Sequence, residues 1–304
     1  MCLTSWKGLF ASLSAFLLIV CCAALYSQEQ TAAPPVKIPT SWMAEWRDAT
    51  VSFGTITNDA PAGKYYKVMG SGIVVSEVNA QRGYILTAKH VFLDPLKKWH
   101  PSEIQIRYGW QDQKSVYSEL GTTIKLRDDT GKDLWTALDD GSDLAAIPAP
   151  PAVRALQPSI NPAGVASPDR IFEGANIIAL GYPGIVGNEY LVRAISRGGI
   201  IAWTDPKDPS GKRFLIDANI YPGNSGGPVI SNPITSTAAG GLAHGAQPVL
   251  LGIVVEAPGQ SGEFDLAVPG QRAHIKIRQE IPLGGTGVVE PASEVRKLLD
   301  LVMK

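Results

Sequence analysis

The sequence has few residues of the kinds that form cross-links or bind metal ions. All three cysteines, Cys2, Cys21 and Cys22, lie within the first 22 residues, so the rest of the chain has no thiol. Their positions exclude a disulfide framework and a cysteine-ligated metal site in the folded part. Only four histidines occur in 304 residues. We therefore expect no metal and no organic cofactor, and a fold stabilised by its hydrophobic core alone.

An excess of charge of either sign is also absent. Lys+Arg number 27 and Asp+Glu 28, which gives a formal net charge of −1. Without a basic excess or a run of like charges, the sequence predicts no nucleic-acid partner. Turn-forming residues, in contrast, are abundant, with 31 Gly and 23 Pro. This composition favours many short strands over long helices.

The N-terminal segment differs from the rest of the chain. Lys7 precedes an uncharged apolar run over residues 9–26, which is followed by the polar sequence "QEQT". The pattern predicts that residues 1–27 form a secretory signal, cleaved after Ala24 or Ser27. Because the apolar run approaches membrane-spanning length, an uncleaved N-terminal anchor is the alternative. In both cases the folded part is expected outside the cytoplasm, in the periplasm or secreted.

Segments typical of β-strands dominate the remainder. They are short, rich in Val, Ile, Tyr and Thr, and separated by Gly, Asn or Asp. They cover 49–56, 64–70, 72–78, 83–88, 103–110 and 122–128, and then 176–183, 189–203, 213–220, 227–231, 249–257 and 264–268. Only residues 292–304 have the periodicity of a helix, with Val295, Leu298, Leu299 and Val302 on one face.

The distribution of these segments predicts the domain organisation. We expect a linker over 28–44, an N-terminal β unit over 45–150, a proline-rich connector over 151–168, and a C-terminal β unit with the terminal helix over 169–304. Two groups of about six strands predict two small antiparallel barrels or sandwiches. Because strands do not alternate with helices, a doubly wound sheet is excluded.

One short stretch, "YPGNSGGPV" at residues 221–229, holds a single serine among three glycines and two prolines. Gly, Pro, Asn and Ser are the ordinary turn formers, so Ser225 is either a nucleophile on a shaped loop or a polar residue in a tight turn. The nucleophile interpretation requires a base and an orienting acid elsewhere in the chain.

His90 and Asp143 are the candidates for that base and that acid. His90 follows an apolar strand in "GYILTAKHVF", and Asp143 immediately precedes an apolar run in "DDGSDLAAI". A carboxylate at a strand edge can accept the imidazole Nδ1–H and fix the tautomer. A structural histidine and a turn-forming aspartate are the alternative readings. Asp139 and Asp140 compete with Asp143, but neither has an apolar neighbour on its C-terminal side.

Taken together, "GSGIVV", "ILTAKHV", "GSDLAAI" and "GNSGGPV" carry His90, Asp143 and Ser225 in that order. In these motifs, residues 45–304 resemble the chymotrypsin-like (trypsin-like) serine peptidases, and in particular the bacterial HtrA-like branch. The resemblance implies an all-β fold of two antiparallel six-stranded β-barrels, with the active site in the cleft between them. It also implies a serine endopeptidase that acts on a protein or peptide.

The resemblance also assigns roles to individual residues. Ser225 would be the nucleophile, His90 the general base and later the general acid, and Asp143 the orienting acid. A serine hydroxyl is a poor nucleophile near neutral pH, so an adjacent imidazole must take its proton during attack. Gly223, Asn224 and Ser225 would form the oxyanion hole, with the backbone N–H groups of Gly223 and Ser225 as donors.

The primary substrate pocket follows from the same resemblance. Asn219, six residues before the nucleophile, would lie at its base, and Gly252, Ile253, Val254 and Glu256 would belong to its walls. Since Asn219 carries no carboxylate, we expect a small or medium apolar residue in the pocket rather than Arg or Lys. An inward-pointing Glu256 would overturn this expectation.

Two further expectations concern regions where the resemblance is weaker. Residues 232–248 and 268–287 are predicted to be extra loops at the rim of the cleft. Many HtrA-like relatives carry a C-terminal PDZ domain, and none is expected here because the sequence ends after the predicted helix.

Two other functions are alternatives to the serine peptidase interpretation. "GNSGG" fits the G-x-S-x-G pattern of α/β-hydrolases, but in those enzymes a helix follows the serine, and the acid and the histidine come later in the chain. Here Gly-Gly-Pro follows Ser225, and His90 and Asp143 precede it, which excludes that class. A catalytically silent binding protein with the same two-barrel fold is the remaining alternative.

Overall fold

The computed structural model describes residues 42–59, 63–77, 82–111, 117–156, 159–186, 192–208, 211–236, 242–244, 247–257, 259–267, 274–282 and 285–304. The predicted signal or anchor over 1–27 lies outside these residues. Within the described ranges, no helix is both long and apolar enough to cross a membrane.

The N-terminal half forms one antiparallel sheet preceded by a short helix. Its elements are α1 (Trp42–Asp48), β1 (Thr50–Asp59), β2 (Gly63–Ser76), β3 (Gly83–Ala88), β4 (Glu103–Gln111), β5 (Tyr117–Lys125), β6 (Thr136–Ala137) and β7 (Leu144–Pro148). The hydrogen-bonded strand order is β5-β4-β1-β2-β3-β7-β6. Strand β1 lies between β4 and β2, and its residues 50–53 are all buried, so both of its faces are covered there.

The C-terminal half forms a closed antiparallel barrel. After α2 (Pro151–Leu156), the elements are β8 (Asn176–Gly181), β9 (Ile195–Trp203), β10 (Phe214–Asp217), β11 (Pro228–Ser231), β12 (Ile234–Ser236), β13 (Leu242–His244), β14 (Leu250–Glu256), β15 (Gly259–Ala267), β16 (His274–Pro282), β17 (Thr286–Pro291) and α3 (Ala292–Val302). The barrel order is β10-β17-β14-β11-β8-β9. β12 with β13 and β15 with β16 form two separate two-stranded sheets.

The predicted fold is confirmed: it is mostly β, with two antiparallel β units and a C-terminal helix. The barrel has the six strands expected. The first unit has seven strands, because the two-residue β6 pairs with the edge of β7 at Ala145 and Ala146. The predicted strands 64–70 and 72–78 are one continuous strand, β2, which bends with β1 at a register shift beside Gly54.

The two stretches predicted to be extra loops contain strands. β12 and β13 lie within 232–248, and β16 lies within 268–287. β12 pairs with β13 in antiparallel fashion, and β16 pairs in the same way with β15, which precedes the second stretch, over nine residues. Antiparallel pairing satisfies the backbone N–H and C=O groups that an irregular segment would leave to solvent.

Helix α3 contacts both halves of the fold. Its buried face, formed by Val295, Leu298 and Leu299 as predicted, packs against β7 of the sheet and against β14 and β17 of the barrel. The helix therefore shares one hydrophobic core with both β units, next to the strand that begins directly after Asp143.

This packing predicts a difference between two leucines of α3. Leu298 is 1% exposed and Leu301 is 47% exposed. Leu298→Ala should lower the free energy of unfolding by about 2–5 kcal/mol, because it leaves a cavity in a packed core. Leu301→Ala, the matched control, should change it by no more than about 0.5 kcal/mol. Urea unfolding followed by tryptophan fluorescence measures both, and equal losses would contradict the packing described.

Candidate active site

The pairing of β3 with β7 brings His90 and Asp143 together. Ala88, the last residue of β3, lies opposite Leu144, the first residue of β7. A single 3-10 turn over residues 89–91 follows β3 and carries His90. The Lys89 N–H donates to the Asp143 carbonyl oxygen over 3.0 Å, which extends the ladder by one bond beyond the strands. The two residues therefore meet at one end of the sheet, although 53 positions separate them.

Both carboxylate oxygens of Asp143 interact with His90. Oδ2 lies 2.6 Å from His90 Nδ1, and Oδ1 accepts the His90 backbone N–H over 3.0 Å. The side chains are 28% (His90) and 25% (Asp143) exposed. Because an ionised carboxylate can only accept, Nδ1 of the neutral ring carries the proton and Nε2 is left as the acceptor. The exposed competitors Asp139 and Asp140 do not take this place.

Ser225 lies on the loop between β10 and β11, and hydrogen bonds from the N-terminal sheet fix the backbone of this loop. The Ser71 N–H on β2 donates to the Ser225 carbonyl oxygen over 2.6 Å, and the Ser71 hydroxyl donates to the Gly223 carbonyl oxygen over 2.7 Å. The same hydroxyl accepts the Tyr182 N–H over 2.8 Å. Ser71 is fully buried, so these bonds are shielded from competing water.

The shape of the loop depends on two glycines with left-handed backbone conformations. The φ angle is +97° at Gly223 and +87° at Gly226. A Cβ atom at 223 would lie 2.5 Å from the Tyr182 carbonyl oxygen, and one at 226 would lie 1.9 Å from the Ser71 carbonyl oxygen. Both positions therefore require glycine, for conformation and for space.

From Gly223 to Gly226, the backbone N–H groups alternate between unpaired and hydrogen-bonded. Asn224 N–H donates to the Tyr221 carbonyl oxygen over 3.0 Å, and Gly226 N–H donates to the Val254 carbonyl oxygen over 2.6 Å. The N–H groups of Gly223 and Ser225 have no acceptor among the described residues. Two unpaired donors on the same loop, with one residue between them, are what an oxyanion hole requires. Asn224, in contrast, uses its N–H within the loop.

His90, Asp143 and Ser225 line one cavity of about 320 Å³. Ser225 is 8% exposed. The Ser225 hydroxyl and the His90 ring, both in the described part of the chain, share this cavity without a hydrogen bond between them. In active sites without substrate, such bonds are commonly long and tighten only in the complex.

The predicted pocket residues are only partly at this cavity. Glu256, exposed at the end of β14, lines it. Gly252, Ile253 and Val254 are buried earlier in the same strand. Asn219 is exposed with a φ of 51° and does not line this cavity, so the expected apolar preference stays a prediction.

Some lining residues were missed by the sequence analysis. Val255 and Ala257 flank Glu256 and line the cavity with it. Lys97 and Arg213 also line the cavity. No motif marks either of them, because each reaches the cavity only through the tertiary fold.

A second cavity, of about 480 Å³, is lined in part by residues 140–142, which directly precede Asp143. Asp140, Glu290, Glu294 and Lys297 are among the residues that line it. Burial raises the pKa of Glu294 and the nearby Asp140 carboxylate raises it further, while Lys297, 2.7 Å away, opposes the increase. Glu290 faces the same cavity but is bonded to the active-site loop.

Comparison with protein families identifies the family of this chain. A model of the trypsin-like peptidase domain matches residues 70–233, which include His90, Asp143 and Ser225. The match covers more than half of the chain, and the chain belongs to this family. The predicted resemblance to the trypsin-like peptidases is thereby confirmed. No curated protein matches the sequence significantly.

Solved structures similar to this chain include bacterial proteases. The HtrA-type protease AlgW, solved with a decapeptide, is 19% identical, with a TM-score of 0.44 over 86% of this chain and 67% of that chain. The active form of the Rv3671c protease from M. tuberculosis is 18% identical, with a TM-score of 0.45 over 88% and 86% of the two chains. An inactive form of the same protease is 18% identical, with a TM-score of 0.44 over 89% and 97%.

The tight fit at Gly226 predicts a large effect of adding one methyl group. Gly226→Ala should destabilise the fold and displace the Ser225 loop, because the new Cβ overlaps backbone oxygen. Gly131 is the matched control: its φ is +88°, and a Cβ there would have nothing within 4 Å. Gly131→Ala should cost only about 1–2 kcal/mol for the left-handed conformation. Urea unfolding compares the two, and similar losses would contradict the overlap.

Proposed function

We propose that this peptidase is a serine endopeptidase that hydrolyses peptide bonds through an acyl-enzyme. The observation that carries the proposal is the meeting of the hydrogen-bonded His90–Asp143 pair and Ser225 at one cavity. The unpaired N–H groups of Gly223 and Ser225 next to that serine support it further. A family match that spans all three residues supports the peptidase class.

In the first step the Ser225 Oγ attacks the carbonyl carbon of the scissile bond, while its proton passes to His90 Nε2. Asp143 Oδ2 accepts the Nδ1–H of the resulting imidazolium and stabilises its charge. Proton transfer of this kind contributes on the order of 10²–10⁴-fold to the rate.

The tetrahedral intermediate places negative charge on the former carbonyl oxygen. The N–H groups of Gly223 and Ser225 are available to donate to it, because no described residue takes their hydrogen bonds. Losing one such donor typically costs on the order of 10²–10³-fold in kcat. The left-handed backbone of Gly223, with a φ of +97°, shapes the loop that carries both of these N–H groups.

After the tetrahedral intermediate has formed, His90 acts first as an acid and then, in the hydrolysis of the acyl-enzyme, again as a base. The imidazolium donates its Nε2 proton to the leaving amine, the peptide bond breaks, and the acyl group remains on Ser225 Oγ. A water molecule then attacks the acyl carbon and gives a proton to His90 Nε2. The ester bond breaks, the proton returns to Ser225, and the acid product leaves.

A protein or peptide is the proposed substrate, and the end of β14 is its proposed binding edge. Val255, Glu256 and Ala257 line the cavity there, at the point where the strand leaves the barrel. We further propose that the peptidase acts outside the cytoplasm, on the evidence of the N-terminal apolar run alone.

Three substitutions test the proposed roles. Ser225→Ala and His90→Ala should each lower kcat for a denatured protein substrate by on the order of 10⁶-fold. Asp143→Asn should lower it by about 10⁴-fold, because the ring would be held in the wrong tautomer. Asp139→Asn, a change to an exposed aspartate of the same loop, is the matched control and should leave kcat unchanged.

Covalent labelling with a fluorophosphonate separates the peptidase from a binding protein. The wild-type chain should be labelled at Ser225, and Ser225→Ala should not be labelled. If the folded wild-type protein is neither labelled nor active, the chain is a binding protein with a peptidase fold. If Ser225→Ala retains hydrolysis, the nucleophile has been assigned to the wrong residue.

A further inference from the structure

Asp143 is held by both halves of the fold, through its backbone and its carboxylate. Three of its bonds come from the turn that follows β3: the carboxylate accepts from His90 twice, and the carbonyl oxygen accepts from Lys89. The fourth bond comes from the barrel. The Asp143 N–H donates to Oε1 of Glu290 on β17, over 2.9 Å and across 147 positions of sequence.

Glu290 is placed to hold that bond firmly. It is only 3% exposed, and the same oxygen, Oε1, accepts from Arg213 Nε over 2.8 Å and lies 2.7 Å from Arg213 Nη2. A buried carboxylate is tolerated only when it is paired and hydrogen-bonded in this manner. Arg213 directly precedes β10, so both Glu290 and its cationic partner belong to the barrel that carries Ser225.

The position of Asp143 explains why an outside acceptor is needed. Asp143 comes directly before Leu144, the first residue of β7, so its N–H lies beyond the end of the strand ladder. A side chain from another element therefore supplies the acceptor that a neighbouring strand would otherwise provide. Moving this peptide group would move the carboxylate that orients His90.

We propose that Glu290 is a positioning residue of the peptidase reaction, acting on His90 through Asp143. The inference rests on the proposed function. Glu290 lies outside the residues 70–233 that match the family model, so the family match does not assign it. By joining Asp143 to the barrel, Glu290 fixes the acid–base pair of one half relative to the nucleophile of the other.

The test compares Glu290→Ala and Glu290→Gln with Asp48→Asn. Asp48 is the matched control, because its Oδ1, like Oε1 of Glu290, accepts from an arginine, in this case Arg193 over 2.7 Å. Asp48 has no contact with Asp143 among the described residues. Each variant is assayed for kcat and KM on a peptide substrate and for its unfolding midpoint.

Glu290→Ala should lower kcat by on the order of 10- to 100-fold, the cost typical of removing an outer group that orients a functional imidazole. KM should change by less than about 2-fold, because Glu290 is not among the described residues that line the cavity of Ser225. Glu290→Gln should lose less, since its amide oxygen can still accept the Asp143 N–H. Asp48→Asn should retain the wild-type kcat.

A double-mutant cycle separates positioning from a general loss of structure. If Glu290 acts through the Asp143 carboxylate, then adding Glu290→Ala to Asp143→Asn should lower kcat by less than about 2-fold further, because residues that act as a unit are not additive. A full additional loss in that background would overturn the proposal, as would a Glu290→Ala kcat equal to that of Asp48→Asn.

Two results keep the proposal distinct from the peptidase assignment. If Ser225→Ala is inactive while the Glu290 variants match the control, the inference about Glu290 fails and the peptidase function stands. If Ser225→Ala and Asp143→Asn are both fully active, the proposed function itself fails. Where Glu290→Ala does not fold, Glu290→Met, which fills similar space without an oxygen acceptor, decides: a kcat more than about 3-fold below that of Asp48→Asn supports the role, and a smaller difference overturns it.

Discussion

The antiparallel pairing of β3 with β7 is the constraint on which the site depends. It sets Ala88 opposite Leu144, and the next residues of each strand continue the ladder into the bonds between Asp143 and the turn that carries His90. A shift of this register by one residue would turn the side chains to the opposite face of the sheet. The imidazole would then lose the carboxylate that fixes its tautomer.

The two halves of the fold are joined at the site by reciprocal hydrogen bonds. Ser71 of the sheet holds the carbonyl oxygens of Gly223 and Ser225 in the barrel, and Glu290 of the barrel holds the N–H of Asp143 beside the sheet. Each half thus shapes the loop of the other. Because both Ser71 and Glu290 are buried, these bonds persist without competition from water.

The sequence predicts elements that depend on neighbouring residues, but it does not reveal contacts between residues that are distant in the chain. The strand at 83–88 and the motifs around Ser225 depend on neighbouring residues, so pattern and turn chemistry reveal them. The two-residue β6 is too short for a periodic pattern, and α2 begins at Pro151 within the predicted connector. No local signal separates Glu290 from an exposed strand residue, since its partners, Asp143 and Arg213, are 147 and 77 positions away.

Helix α3 limits how this molecule can move. Its apolar face packs against β7 of the sheet and against β14 and β17 of the barrel. Moving the sheet away from the barrel would therefore expose Val295, Leu298 and Leu299 to solvent. Exposing that much hydrocarbon is unfavourable. The shared core therefore disfavours a hinge motion between the sheet and the barrel, and the elements on either side of the cavity that holds His90 and Ser225 are expected to keep their relative placement.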